Sequence, residues 1–304
     1  MPISTVTYPL GQPTVAGTKI TVDMLLAQPG RINKRLADLT LQKFIVDKVF
    51  QASGADTRSG AIIYDQVTKN YLYSSRDVEQ RGPTDEYPIV QGERGEPKVA
   101  ISEDWGGKFP VSDEARNRND RRAVDDDTTQ LSNTLVRKIN TRAVATLDAG
   151  IAALGGAGVV AGHDWSSAIT TGTSPTPVSQ QPIADFTNVQ LAADVDELGV
   201  EYKLWLINPI QKAALVNVYG ADWKEMLAAV GESGIEIFAS NRVPAGTAYA
   251  VDPGQVGFVD YEKELTTETW REPKNRTSWV QSYVMPIMGV TNPYAVKKIT
   301  GLGS

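Results

Sequence analysis

The side chains able to do chemistry are few. Among 304 residues there is one histidine, His163, and no cysteine. That excludes disulfides, thiolate nucleophiles, multi-histidine metal centres and cysteine-ligated zinc or iron–sulfur clusters. His163 precedes Asp164, a pairing in which a carboxylate could orient an imidazole base. A serine hydrolase also needs its nucleophile on a strained elbow, and Gly-x-Ser-x-Gly occurs nowhere; a surface histidine in a Gly/Ser-rich stretch is the plainer reading. Asp125-Asp126-Asp127 lines up three carboxylates, but consecutive helical residues point about 100° apart and at most two could share a ligand. With Arg116, Arg118, Arg121 and Arg122 just before it, the run reads as a solvated, salt-bridged face. Gly156-Ala157-Gly158-Val159-Val160-Ala161 mimics a dinucleotide-binding loop. That loop needs a strand before it and a helix after it, whereas this one follows a helical stretch and reads as a helix stop and joint. The sequence therefore predicts no catalytic, metal or cofactor site. Its 36 acidic residues always supply carboxylate pairs, so a soluble carboxylate-dependent α+β hydrolase stays as an alternative.

Charge and hydropathy exclude further classes. Thirty Lys and Arg against 36 Asp and Glu leave a net charge of −6, which argues against wrapping nucleic acid by counterion release. No run approaches the 18 or so apolar residues of a membrane span. The start, MPISTVTYPLGQP, lacks the basic and apolar regions of a signal peptide, so residence in a cytosol is the default and the sequon at Asn275-Arg276-Thr277 carries no meaning. The six tryptophans are scattered and read as core and interface, not as a base-stacking platform.

The elements that would position these groups are uneven in character. Residues 1–35, punctuated by Pro and Gly and basic in an acidic protein, read as an extended arm: a flexible terminus, or a segment packed on a neighbour or facing an acidic interior. Residues 36–52 predict an amphipathic helix through Leu36, Leu39, Lys43, Val46 and Phe50. Ala61–Tyr64 and Tyr71–Tyr73 suit a hairpin around 65–70. Asp56–Asp104 holds ten acidic and six basic residues and too few apolar ones for a core, so it reads as a long arm ordered by contact outside its own fold, with its tyrosines and Trp105 as docking surface. Val124, Leu131, Leu135, Ile139, Ala143, Leu147, Ile151 and Leu154 form one narrow stripe, predicting a single helix over 112–154 of about 63 Å. A compact chain of this length spans roughly 50 Å, so an elongated or flat molecule is expected. Residues 155–184, rich in Gly, Ser, Thr and Pro, read as a linker. Beyond it, helices over 191–198, 209–219 and 222–230 alternate with strands over 202–207, 235–239, 247–251 and 256–261. Strands over 265–271, 278–290 and 294–300 close an α+β chain.

In this element order the chain resembles the major capsid proteins of tailed bacteriophages, the fold named after phage Hong Kong ninety-seven, which encapsulin shells share. The passages that carry the resemblance are Ser112-Asp-Glu-Ala leading through Thr129-Gln-Leu-Ser-Asn133, then Leu206-Ile-Asn-Pro209, Val243–Pro253 and Val290–Gly301. The last is closest in feel to phages of actinobacteria. The resemblance implies an N-arm and first helix over 1–55, an extended β-hairpin loop over 56–111, and a peripheral domain with its long spine helix and linker over 112–184. It further implies an axial domain over 185–262 and peripheral strands over 263–304. The implied product is an icosahedral head of pentamers and hexamers enclosing double-stranded DNA without sequence-specific binding. Implied partners are identical copies together with scaffolding, portal and decoration proteins, and the implied location is the virion, after assembly in the host bacterial cytoplasm. An encapsulin-like compartment is the nearer alternative. Inter-subunit contacts are expected at Lys69, Tyr71, Trp105, Glu272, Lys274, Asn275 and Arg276. Some relatives join a loop lysine to a hairpin asparagine, and Lys69 and Asn275 fall in those regions.

Overall fold

The computed structural model describes residues 22–303 apart from 41–43, 70–72, 75, 85, 93, 171 and 231–233. In chain order its elements are α1 (Val22–Ala27), α2 (Pro29–Thr40), α3 (Val46–Val49), β1 (Ala61–Gln66), β2 (Glu96–Ile101), β3 (Trp105–Ser112), α4 (Asp113–Asn117) and α5 (Arg121–Ala153). There follow β4 (Val159–Ala161), α6 (Pro182–Val195), β5 (Leu204–Ile207), α7 (Pro209–Tyr219), α8 (Trp223–Val230), β6 (Glu236–Ala239) and β7 (Thr247–Val251). The last three are β8 (Gly257–Glu272), β9 (Thr277–Val290) and β10 (Val296–Thr300). Two compact units share them: Met1–Phe44, Ser102–Asn140 and Tyr261–Pro286 make the first; Ile45–Ile101, Thr141–Asp260 and Ile287–Ser304 make the second.

In the first unit, β3 runs antiparallel to β9, with Trp105 opposite Val284 and Ser112 opposite Thr277, in the sheet order β3-β9-β8. Val22 and Leu25 of α1, Ile32 and Leu36 of α2, Phe109 and Val111 of β3, Val124 and Val280 form one core. The N-arm reading is thus corrected from Val22 onward: two helices stand where an extended chain was expected, because Pro29, lacking an N–H, suits the first position of α2. Residues 1–21 lie outside the described residues. Ser112 caps α4, its Oγ accepting the Ala115 N–H at 3.1 Å, and Asp113 and Glu114 meet the positive end of the helix dipole. The single helix expected over 112–154 is broken at 118–120. Asn119 turns left-handed at φ +52°, a region that asparagine tolerates, and its Oδ1 accepts the Val22 N–H at 3.0 Å. The remaining 33-residue helix α5 is about 50 Å long.

The stripe on α5 is buried at Val124, Leu135, Ile139, Ala143, Leu147 and Ile151. Thr128 and Thr146 join the buried face because their hydroxyls donate back to the carbonyls of Val124 (2.6 Å) and Arg142 (3.0 Å). Asp125 pairs with Arg35 of α2 at 2.7 Å rather than with the arginines just before the run, of which Arg116 pairs with Asp23. Among the described residues, which omit 41–43, the stretch expected as a helix over 36–52 is helical up to Thr40 in α2 and again over Val46–Val49. Phe50 is extended, and Gln51 donates to Gly257 O (3.2 Å) and accepts from Val259 N (2.8 Å). Here a distant strand satisfies the backbone that a helix would otherwise have paired.

The second unit is built on the sheet β4-β10-β7-β5-β6. β10 lies antiparallel to β7 and parallel to β4, and β5 lies parallel to β6. Two expectations are corrected here. Residues 155–184 are no linker. After a 3-10 turn over Gly155–Gly158 the chain adds β4 to the sheet edge, and Trp165 is fully buried, stacked at 5.5 Å on Phe186, which lies 4.1 Å from Trp205. Nor does the whole of 263–304 join the peripheral strands, since β10 is an inner strand of this second sheet. Buried Lys297 holds it there, donating to Ala157 O at 2.9 Å and to Asp196 at 3.1 Å. Asn208 behaves as read, its Oδ1 accepting the Ile210 N–H at 3.0 Å while Pro209 opens α7.

Candidate assembly surface

The hairpin of the second unit carries apolar side chains on both faces. Its strands are β1 and β2; the partner strand expected over 71–73 falls largely outside the described residues, which omit 70–72. Antiparallel register sets Ile63 opposite Val99 and Ala61 opposite Ile101, and residues directly opposite share a face. The other face carries Ile62 and Ala100, which pack on Phe258 and Ile287, while Tyr64 meets Phe258 edge-on at 5.3 Å. That face is satisfied within its own unit. The first face is not: Ile63, Val99 and Ile101 are 75%, 59% and 68% exposed.

The chain between these strands continues the pattern. Val78, Tyr87 and Ile89 are exposed, with Arg81 over the Tyr87 ring at 5.0 Å. Eight of the 16 exposed large apolar side chains among the described residues fall between Ile63 and Ile101, so this one segment concentrates the surface that water opposes. Tyr73 ties the loop to its own unit through Glu197, both contacts at 3.2 Å.

The expected contact residues divide between the units. Lys69 is exposed just after β1, and Tyr71 lies outside the described residues. Trp105 does not belong to the loop: it opens β3, its indole N–H donates to Glu103 at 3.2 Å, and Lys138 sits 4.2 Å over its ring. Glu272, Lys274, Asn275 and Arg276 are brought together in the turn joining β8 to β9. Glu272 accepts the Trp279 indole N–H at 2.9 Å, Arg276 takes φ +48° and its carbonyl accepts the Asp113 N–H at 2.9 Å. Lys274 and Asn275 stay exposed. Beside the turn, the Arg271 guanidinium, 2.6 Å from Asp113, holds that carboxyl below the usual range.

His163 is anchored rather than loose. Its Nδ1 lies 2.7 Å from the buried carboxylate of Asp185, which also accepts the His163 backbone N–H (3.0 Å) and the Trp165 indole N–H (2.7 Å). The partner is therefore Asp185, not Asp164, whose carboxylate accepts from Ser166. The group is a clamp on the 162–165 segment, with its donors spent on one carboxylate. Among the described residues no cluster of three His, Asp or Glu could hold a metal ion, and no helix is long and apolar enough to cross a membrane. Sequence reasoning missed the uncovered face at Val99 and Ile101. The alternation in Lys98-Val99-Ala100-Ile101 signalled a strand there, but its partner β1 lies far upstream.

Comparison with known proteins shows which family the chain belongs to. A family model described as phage capsid protein matches residues 95–299. The chain belongs to the phage capsid protein family. No curated protein sequence matches it. A chain from Mycobacterium phage Bobi shares the fold with a TM-score of 0.57 at 12% identity, over 88% of this chain and 91% of that one. A virus-like particle from Pyrococcus furiosus gives 0.57 at 12% over 89% and 98%, and the capsid of the cyanophage P-SCSP1u gives 0.53 at 14% over 84% and 87%. At such identities these neighbours speak for the fold. With the family, they bear out the resemblance to tailed-phage major capsid proteins. The phage capsid protein is a structural component that builds the virion shell from repeated copies, and it is not an enzyme. The hydrolase alternative falls, and the encapsulin alternative is no better supported than the phage capsid.

Proposed function

We propose that this phage capsid protein assembles in the host bacterial cytoplasm as pentamers and hexamers, closing an icosahedral head around double-stranded DNA. The observation that carries the reading is the uncovered apolar face of Ile63, Val99 and Ile101, continued by Val78, Tyr87 and Ile89. A two-stranded ribbon with apolar side chains on both faces needs a second partner, and in a shell of identical copies that partner is a neighbouring subunit. Residues 56–101 then act as the extended loop, the long helix α5 as the peripheral spine, and 185–262 together with β10 as the axial domain. The turn bearing Glu272, Lys274, Asn275 and Arg276, with Lys69 and Tyr71 of the loop, supplies further contacts between copies. Lys69 and Asn275 form the pair for a covalent tie between neighbours: the neutral Lys69 amine attacks the Asn275 side-chain carbonyl, and the amide nitrogen leaves as ammonia, giving an isopeptide bond. Scaffolding, portal and decoration proteins are the other partners of this reading, and the net charge of −6 suits a wall that does not adsorb its DNA.

Expression of the chain, followed by sedimentation and negative-stain microscopy, tests the proposal. Closed particles with five- and six-fold clusters are expected; a stable monomer at micromolar concentration in the presence of a co-expressed scaffold would overturn it. Denaturing electrophoresis of the particles tests the tie, where a ladder that disappears in Lys69→Arg supports it and a single subunit band removes it.

A further inference from the structure

Two other apolar stripes are uncovered in the second unit, and they lie on different helices. On α6, Leu191 and Val195, one turn apart, are exposed, and on α7 Ile210 and Val216 are exposed with Ala213 between them. Helix α8 packs against both α6 and α7, and the two stripes belong to different helices.

Their charges are opposite. The last turn of α6 carries Asp194, and Asp196 and Glu197 follow it. Acids in that position oppose the helix dipole, so a cationic partner there is favourable. Asp196 has Lys297 at 3.1 Å, and Glu197 accepts the Tyr73 hydroxyl. Among the described residues Asp194 meets only the neutral Gln190 amide, at 2.8 Å. On α7 the sole charge is Lys212, which has no acidic partner among the described residues. A stripe with a spare carboxylate and a stripe with a spare ammonium are thus displayed by the same unit.

We infer that in the shell the α6 stripe of one copy packs on the α7 stripe of the next, with Asp194 facing Lys212. The inference rests on the assembly reading above and adds the residues that make the head-to-tail contact. Charge selects this pairing over the symmetric ones. Pairing α6 with α6 would oppose Asp194 to Asp194, and pairing α7 with α7 would oppose Lys212 to Lys212, both repulsive. A contact between two different patches is heterologous, and repeating it generates a ring when the rotation closes. It also covers both stripes on every copy.

The absence of cysteine makes the test clean. In a Lys69→Arg background, which removes any ladder from the Lys69–Asn275 tie, particles of the full chain carrying Leu191→Cys and Ile210→Cys together, oxidised with diamide, are expected to give a ladder of linked subunits on a non-reducing gel. Each single variant is expected to run as monomer. Dimers from either single variant, or no ladder from assembled double-variant particles, would overturn the inference. Charge exchange gives a second reading: Asp194→Lys and Lys212→Asp should each lower particle yield by about tenfold or more, with far-UV circular dichroism unchanged, and the double exchange should restore it. Undiminished yield in both single variants counts against the contact. Failure of the unaltered chain to form particles would instead sink the assembly reading, so the two failures are told apart.

Discussion

Asp252, at the end of β7, is only 5% exposed, and burial raises its carboxyl above the usual range despite the Glu201 N–H at 3.5 Å and the charge of Lys203. A raised folded pKa means that the native state holds this proton more tightly than the unfolded chain. Stability from the group is therefore present at low pH and lost as pH rises from the ordinary carboxylate range through the folded value. Asp252→Asn removes that loss, so thermal unfolding should show a higher melting temperature than the unaltered chain at pH 7, and a gain that shrinks toward pH 4. Equal gains at both pH values would contradict the assignment. Gly257, the first residue of β8, is constrained by space alone: a Cβ there would lie 2.0 Å from the Gly289 carbonyl oxygen, which is backbone and cannot swing away. Gly257→Ala should cost about 1–3 kcal/mol or more, read as a lowered denaturant midpoint.

At the scale of elements, the start of α4 depends on one hydroxyl. Ser112→Ala leaves the Ala115 N–H without its acceptor and should cost about 1 kcal/mol in chemical denaturation; an unchanged midpoint would show that water replaces the cap at no loss. This start was legible, because Ser-Asp-Glu is a local signal acting on the next turn. So were the buried stripe of α5, the Asn208-Pro209 opening of α7 and the bounds of β7. The end of the helix expected over 36–52 was not legible, since Gln51 is drawn into pairing with β8, whose residues lie some two hundred positions away. The break at Asn119 escaped for a related reason: the apolar stripe begins only at Val124, beyond the break, and what holds the turn is the distant N–H of Val22.

At the scale of the whole molecule, the candidate surface was legible as a region but not as a face. A stretch of 56–104 too polar for a core pointed to a partner outside the chain, and the family match agrees with a protein that lives in copies. Which side chains face that partner required the register of β1 against β2. Ile63→Asp with Val99→Asp should therefore leave secondary structure and unfolding of the isolated subunit nearly unchanged, because both side chains are exposed, while abolishing closed particles in sedimentation. Particles of normal yield from that variant would move the contact elsewhere on the surface.

By itself the amino-acid order determined the absence of thiol and multi-histidine chemistry, the α+β make-up and the faces of the long helix, because each depends on composition or on a period of a few residues. Tertiary structure alone decided that the Gly- and Ser-rich chain after α5 becomes an edge strand with a buried tryptophan, that β10 enters the second sheet, and that β1 pairs with β2. Those outcomes turn on which distant carbonyl satisfies a backbone N–H and which distant cavity an indole fills, and no local periodicity encodes either.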